Sequence, residues 1–403
     1  MIKKLILVLI VAVIAKITTA QVRGTDSTTN APLNSAQNII AGNSGKTITI
    51  GGYGQIDFNK PFNDSTRSNG TLDVHRMVVF MGYKFNERVH FVTELEFEHV
   101  SEVYVEQAFV NYRINNAFNI RGGLMLIPMG IVNEYHEPTI FNGVERPNID
   151  GKIVPTTWRE VGAGFTGNLD KLSLKYQVFV VNGFKSYDGT AGKLKGSDGF
   201  RGGRQKGLES TMSSPNLASK IDFYGINGLK IGASGYFGET QTTAYNGVLN
   251  SDADALKIAD STVVGLAMFG FDFRYNYKAF EARGQVIYAG ITNTEEYNAF
   301  TGKDLGSSMF GWYGELGYDV LSLFKKEAKE RLVVFGRYEF YDTHNSVEKG
   351  TTRKDAYGRT DVTTGISYHI ANGAVFKADY QLFKIRGSEN TGQQINVGLG
   401  VWF

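Results

Sequence analysis

The sequence predicts an all-β protein, a transmembrane antiparallel β-barrel of about 16 strands, and three observations carry that prediction. The first is the carboxy-terminal stretch Gln393–Phe403. Ile395, Val397, Leu399, Val401 and Phe403 share one face of a strand, and Gln394, Asn396, Gly398 and Gly400 share the other. Its length fits the roughly 9–11 residues that a barrel strand needs to cross a bilayer, and the chain stops there on an aromatic residue. The second is composition: 48 glycines, 27 Phe, 21 Tyr and 3 Trp accompany a mildly hydrophilic average. An oily, aromatic outer face and a polar inner face cancel in this way. The third is a regular alternation of tight turns with long polar connections.

The amino terminus reads as an export signal. Lys3 and Lys4 precede an apolar run from Leu5 to Ala15, and small residues Thr18 and Ala20 precede Gln21. This predicts a signal peptide over 1–20, too short for a membrane helix. Its removal takes three lysines from 42 Lys+Arg, leaving 39 against 40 Asp+Glu, a net charge of −1. A nucleic-acid partner has no support from that balance. The chain has no cysteine, so disulfides play no part. Residues 21–45, rich in Ser, Thr, Asn and Gly, read as a flexible periplasmic lead, with a short helix around 33–41 left open. Residues 46–403 are assigned to the barrel.

The strands follow in order. In the first, Ile48, Ile50, Ile56 and Phe58 alternate with Thr49, Tyr53, Gln55 and Asp57. The second covers 75–85; its facing is left open because Arg76 and Lys84 sit opposite His75. In the third, Phe91, Leu95 and Phe97 oppose His90, Glu94, Glu96 and Glu98. Further strands are predicted over 103–114, 118–127, 158–167, 172–183, 217–224, 229–237, 263–275, 280–288, 310–320, 332–341, 361–370 and 374–383, before the closing one. Short turns at 85–88, 115–117, 168–171, 225–228, 276–279 and 371–373 alternate with long segments such as 184–215, 239–261 and 342–358. That alternation matches short periplasmic turns and longer extracellular loops. The turn at 321–331, with Lys325, Lys326 and Lys329, is predicted to hold a helical turn. Pro128, Pro138, Pro147 and Pro155 all fall in one break, which is therefore loop.

The apolar set fixes the inward set. Basic inward residues are Arg121, Lys175, Lys220, Lys230, Arg274, Arg283, Arg337 and Lys377. Acidic ones are Asp57, Glu94, Glu96, Glu98, Glu160, Asp222, Asp272, Glu281, Glu315, Glu339, Asp361 and Asp379. Lys220 with Asp222, Asp272 with Arg274, Glu281 with Arg283, Arg337 with Glu339 and Lys377 with Asp379 form i, i+2 pairs of opposite sign. Such neighbours lie about 6.6–6.8 Å apart on one strand face. An Arg or Lys facing lipid at midplane costs about 2–4 kcal/mol, so the regular phase of these charges indicates a wet interior. Sixteen strands are wide enough for an aqueous channel. The segment 129–157 is predicted to fold inward and narrow it, offering Glu134, Tyr135, His136, Glu137, Glu145, Arg146, Asp150 and Lys152. The alternative is an external loop covering a subunit contact.

The final amphipathic strand ending in Phe403 resembles the closing strand of bacterial outer-membrane barrels. That resemblance implies lipid bilayer and lipopolysaccharide as surroundings, and Phe403 as a signal for the barrel-insertion machinery. From Tyr53 to Gly167 the chain resembles the phosphate-selective porin O and P family and its Bacteroidota relatives. The residues concerned are Gly52-Tyr53-Gly54-Gln55, the run from Arg121-Gly122-Gly123 to Pro128-Met129-Gly130, and Pro155-Thr156-Thr157-Trp158-Arg159-Glu160-Val161-Gly162, with weaker support from Arg337-Tyr338-Glu339. The resemblance implies a sixteen-stranded, often trimeric porin passing ions and small solutes, with its third loop at the constriction. Phosphate selectivity in that family looks to depend on arginines and lysines down the lumen. Here carboxylates are at least as many, and the row Glu94, Glu96, Glu98 favours cations locally. The alternative reading is an accessory barrel in a larger outer-membrane complex.

Other signals are set aside. Gly162–Gly167 matches G-x-G-x-x-G, but no helix pattern follows. Glu96, Glu98 and His99 suggest a metal, yet Glu98 and His99 point to opposite faces of a regular strand, so no metal and no cofactor is expected. Ser367 and His369 lie on one strand without an orienting acid, and no nucleophile motif appears, so no enzyme is expected.

Overall fold

Alternating strands of this composition can span a bilayer only as a closed sheet, since every backbone donor must be paired internally. The computed structural model, which describes residues 34–42, 47–62, 67–325 and 329–403, is such a sheet. The expected signal peptide and most of the expected lead lie outside the described residues.

The barrel strands are β1 (Ile48–Phe62), β2 (Thr71–Lys84), β3 (Val89–Glu98), β4 (Glu102–Arg113), β5 (Asn119–Leu126), β6 (Arg159–Leu169), β7 (Leu174–Val181) and β8 (Asn216–Ile226). They continue as β9 (Leu229–Glu239), β10 (Gly265–Tyr277), β11 (Phe280–Thr292), β12 (Ser308–Asp319), β13 (Arg331–Ser346), β14 (Gly358–Ala371), β15 (Ala374–Ile385) and β16 (Thr391–Trp402). Each pairs antiparallel with its chain neighbour, and β16 returns to β1 from Tyr53↔Trp402 to Phe62↔Gln393. At the seam Gly52 and Phe403 exchange both backbone hydrogen bonds, each 2.9 Å. Closure removes the sheet edge, as predicted from the last strand.

The faces follow the predicted phase. Ile395 and Val397 are exposed on the outer surface, whereas Asn396 between them is fully buried. Leu316 and Ile366 point outward, and their neighbours Glu315 and Ser367 are buried inside. Short turns join the strands at one end of the barrel, the turn end; at the other, the loop end, most connections are long, and only 99–101 and 386–390 are short. At the turn end Val320–Leu323 forms the helical turn expected in 321–331, with Asp319 accepting from the Leu321 amide at 3.2 Å. Within the long connections lie α2 (Ile149–Lys152), α3 (Ala253–Asp260) and α4 (Thr294–Thr301), and two short strands, Lys185–Tyr187 and Gln241–Thr242, pair in parallel.

Three features depart from the regular pattern. Residues 35–42, part of the segment expected to be a flexible lead, form α1 (Ser35–Gly42). Its Ala36 and Ile39 join the buried cluster of Tyr53, Val78, Phe80 and Val92 on the inner wall. Against β1, strand β2 carries an extra residue between Asp73 and Arg76. This bulge turns both His75 and Arg76 toward the lumen, so the facing could not be read from alternation. In β4 the extra residue is Glu106, since Glu94 pairs with Gln107 and Leu95 with Val105. Glu106 and Gln107 are both buried as a result.

Candidate functional site

The break between β5 and β6 cannot continue as strand because its four prolines lack a ladder donor. It turns back into the barrel instead. Asn133 closes the neck of this inward segment. Its amide donates to the Ile127 carbonyl at 2.7 Å and the Trp158 carbonyl at 2.9 Å, and its carbonyl accepts from the Trp158 amide at 2.7 Å.

Beyond the neck the segment is tied to the wall on opposite sides. Glu134 meets Lys220 at 2.9 Å and accepts from Gln177 at 2.5 Å. His136 Nε2 sits 3.3 Å from Glu94 and 3.1 Å from Glu106. Asn142 donates to Glu315 at 3.1 Å, and the Val144 amide to Asp379 at 2.6 Å. Lys377 donates to the Phe141 and Gly143 carbonyls at 2.6 and 2.9 Å. Arg337 reaches the Glu145 carbonyl at 3.3 Å, and the Ile149 amide donates to Glu339. Asp150 accepts from Gln285 at 2.9 Å, and Glu137 accepts from Ser35 of α1.

Wall glycines make room for this packing. A Cβ on Gly311 would stand 2.9 Å from Ile149, one on Gly398 2.9 Å from Val144, and one on Gly400 2.9 Å from Pro138. Part of the glycine excess is therefore shape: smooth wall where the inward segment presses closest.

The remaining wall residues named from the sequence also point inward. Arg121 donates to Asn111 at 3.3 Å, Lys175 to the Tyr135 hydroxyl at 3.4 Å, and Arg274 lies 4.2 Å over the Tyr135 ring. Arg283 pairs with Glu315 at 3.2 Å, Glu96 with Arg76 at 3.7 Å and Asp272 with Lys220 at 3.2 Å. Lys230 lines a cavity at the turn end and Glu98 one at the loop end. In the inward segment Glu145 accepts from Asn59 at 2.8 Å, and Arg146 lines the loop-end cavity. Lys152 pairs with Asp198 of the connection between β7 and β8 at 3.6 Å.

Two of the same-strand charge pairs close to contact. Among the described residues only Lys220–Asp222, at 3.8 Å, and Glu281–Arg283, at 3.4 Å, come within ion-pair reach. Arg337 meets Glu315 on the neighbouring strand, and Lys377 and Asp379 are taken by the inward segment. The other groups, about 6.6–6.8 Å apart on one strand, take nearer partners on the neighbouring strand or the inward segment.

Several site residues escaped the sequence reading, Asn133 and Glu106 among them. Asn133 carried no pattern signal. Glu106 had one: two adjacent polar residues, Glu106-Gln107, in an otherwise alternating strand mark a bulge. Ser367 donates to the Asn142 carbonyl at 2.6 Å, a tie between wall and segment.

Electrostatics fixes the segment in place. Burial alone would lower the His136 pKa, but hydrogen bonds to Glu106 and Glu94 raise it to about 10, so the imidazole is a cation at neutral pH. Burial would raise Glu134, yet Lys220 and Lys175 hold it down to about 2. Cavities remain around the segment. One of about 430 Å³ at the loop end carries Arg76, Arg146, Arg159, Arg201, Arg204 and Lys206 beside Glu96, Glu98, Glu102, Glu145 and Asp150. Two at the turn end, about 470 and 270 Å³, share Tyr135, Thr139, Ile140, Arg331 and His369.

No family model matches the chain. An uncharacterized protein of Aquifex aeolicus (strain VF5) is 34% identical over 353 residues, covering 83% of this chain and 75% of that protein. Among solved structures, the outer membrane channel DcaP of Acinetobacter baumannii superposes with a TM-score of 0.55 at 11% identity, over 88% of this chain and 97% of that one. The anion-selective porin of Comamonas acidovorans gives 0.53 at 10% identity, over 88% and 99%. The chain belongs to the family of the Aquifex aeolicus protein, and its fold is the sixteen-stranded barrel of outer-membrane porins.

Proposed function

We propose that the chain is an outer-membrane porin through which ions and small hydrophilic solutes diffuse, with segment 129–157 setting the constriction. The observation that carries the reading is a closed barrel, apolar outside and charged inside, with a cavity at either end of an inward segment. In this reading the loop end faces the cell exterior, the turn end the periplasm, and lipid and lipopolysaccharide surround the outer face. Phe403 serves the insertion machinery, and three copies form the working unit. The resemblance of residues 53–167 to the phosphate-selective O and P family belongs to the proposal, but phosphate selectivity does not. Acids and bases are closely balanced in the loop-end cavity, so charge selectivity is weak.

Planar-bilayer recording on purified protein tests this. Ohmic steps with a small reversal potential under a salt gradient are expected; a protein that inserts but passes no current rejects the reading. The ties running from the segment to both sides of the wall favour a second reading, an accessory barrel in a larger outer-membrane complex. Stoichiometric co-purification of other outer-membrane proteins in gentle detergent supports that reading, and a lone homotrimer counts against it.

A further inference from the structure

We propose that Asp73, His75 and His99 form a binding site for a borderline-soft divalent cation such as zinc at the loop-end mouth of the barrel, with Asp57 beside it. Two departures from regular strand geometry converge there. The bulge in β2 turns His75 inward, placing its Nδ1 3.9 Å from both Asp57 Oδ2 and Asp73 Oδ2. His99 follows the last residue of β3, and it and Val100 both take positive φ, 51° and 66°. The chain therefore stops alternating at Glu98, and the His99 ring folds back across β2. Its Nδ1 comes 2.6 Å from Asp73 Oδ2, and the two imidazoles stand 5.6 Å apart, nearly perpendicular. His99 therefore lies off the strand, and the opposite facing expected of Glu98 and His99 in a regular strand does not hold.

The donor set has the required chemistry. One atom each from Asp73, His75 and His99 lies within 4.8 Å of the others. Bonds of about 2.0–2.2 Å in a tetrahedron need a somewhat closer approach, within reach of side-chain rotation. Two imidazoles and a carboxylate select zinc, copper or nickel over magnesium and calcium. Asp57 is oriented by Gln55, which donates to it at 2.7 Å, and Glu98 stands 3.9 Å from His99 Nε2. The nearby Arg76 is engaged by Glu96 at 3.7 Å, and Arg146 and Arg201 line the same cavity, so the ion must bind among cations as well as carboxylates. His75 and His99 line the cavity of about 430 Å³, which gives an ion a way in.

A second cluster, Glu94, Glu106 and His136, shows what a non-site looks like. All three are buried, and Gln107, Thr157 and Arg159 already engage the two carboxylates, so no ion is required.

The test is calorimetric titration of zinc chloride into tag-free mature protein in detergent. One zinc per chain is expected, unaffected by excess magnesium and removed by a chelator. His99→Ala and Asp73→Asn abolish it. His90→Gln, a wall histidine outside the cluster, leaves it unchanged. Heat-modifiable gel mobility confirms the barrel in each variant. Absence of stoichiometric zinc binding in the folded wild type overturns the proposal, as does full binding in either His99→Ala or Asp73→Asn.

Discussion

Replacing His136 with alanine is the sharpest probe of how the lumen is closed. The imidazole bridges Glu94 and Glu106 at 3.3 and 3.1 Å, and all three side chains are essentially buried. Without it two carboxylates remain in a dry wall, with Arg159 3.5 Å from Glu106 as the nearest cation paired to them. Breaking a buried pair by removing one partner costs about 3–5 kcal/mol. At 1.4 kcal/mol per tenfold, the balance between docked and undocked segment shifts by about two to three and a half orders of magnitude. The barrel itself keeps its backbone ladder, so the loss falls on the segment. Two assays read it: conductance in planar bilayers, which rises, and amide exchange over 129–157, which accelerates while the strands stay protected. The linkage has a definite sign. A histidine raised from 6.5 to about 10 by its partners stabilises docking fully below pH 6.5, and that contribution disappears as pH climbs through about 10. Wild-type conductance therefore increases near pH 10, and the variant shows no such step. Unchanged conductance together with unchanged exchange in His136→Ala would refute the latch.

Other substitutions separate the segment from the wall and the wall from the lipid. Gly398→Val drives a side chain into Val144 and displaces the segment at a cost of about 1–3 kcal/mol, seen as higher conductance without a change in barrel mobility on gels. Lys220→Met strands Glu134 and Asp272 and costs about 3–5 kcal/mol in denaturant unfolding. Ile366→Arg places a charge on the outer face and costs about 2–4 kcal/mol near midplane, measured by unfolding from lipid vesicles. Among the outer connections, burial would raise the Asp304 pKa, but bonds to Lys354 and Tyr357 lower it to about 2. Its stabilising contribution is thus present above about pH 4 and lost toward pH 2, and pepsin cleavage of the outer connections should rise over that window in wild type but not in Asp304→Asn.

Much of this molecule was legible from residues alone, because a strand in a bilayer has only two environments. Ile395 and Val397 must meet lipid and Asn396 must not, so period-two alternation yields strand count, facing and closure. The inward charges and the proline-rich break were legible for the same reason. What alternation cannot report is a residue that breaks it. The bulges at His75 and Glu106, and the turn at His99, each change the facing of the next side chain, and each brings a titratable group into a cluster. Nor could sequence choose the partner of Lys377: Asp379 lies two residues away along the strand, but the Phe141 carbonyl, 236 positions distant in the chain, is the one at 2.6 Å. Wall and lipid face follow from local pattern because solvent imposes them residue by residue. The filling of the lumen and the pairing of its charges depend on which distant atoms arrive within about 3 Å, and only the folded barrel decides that.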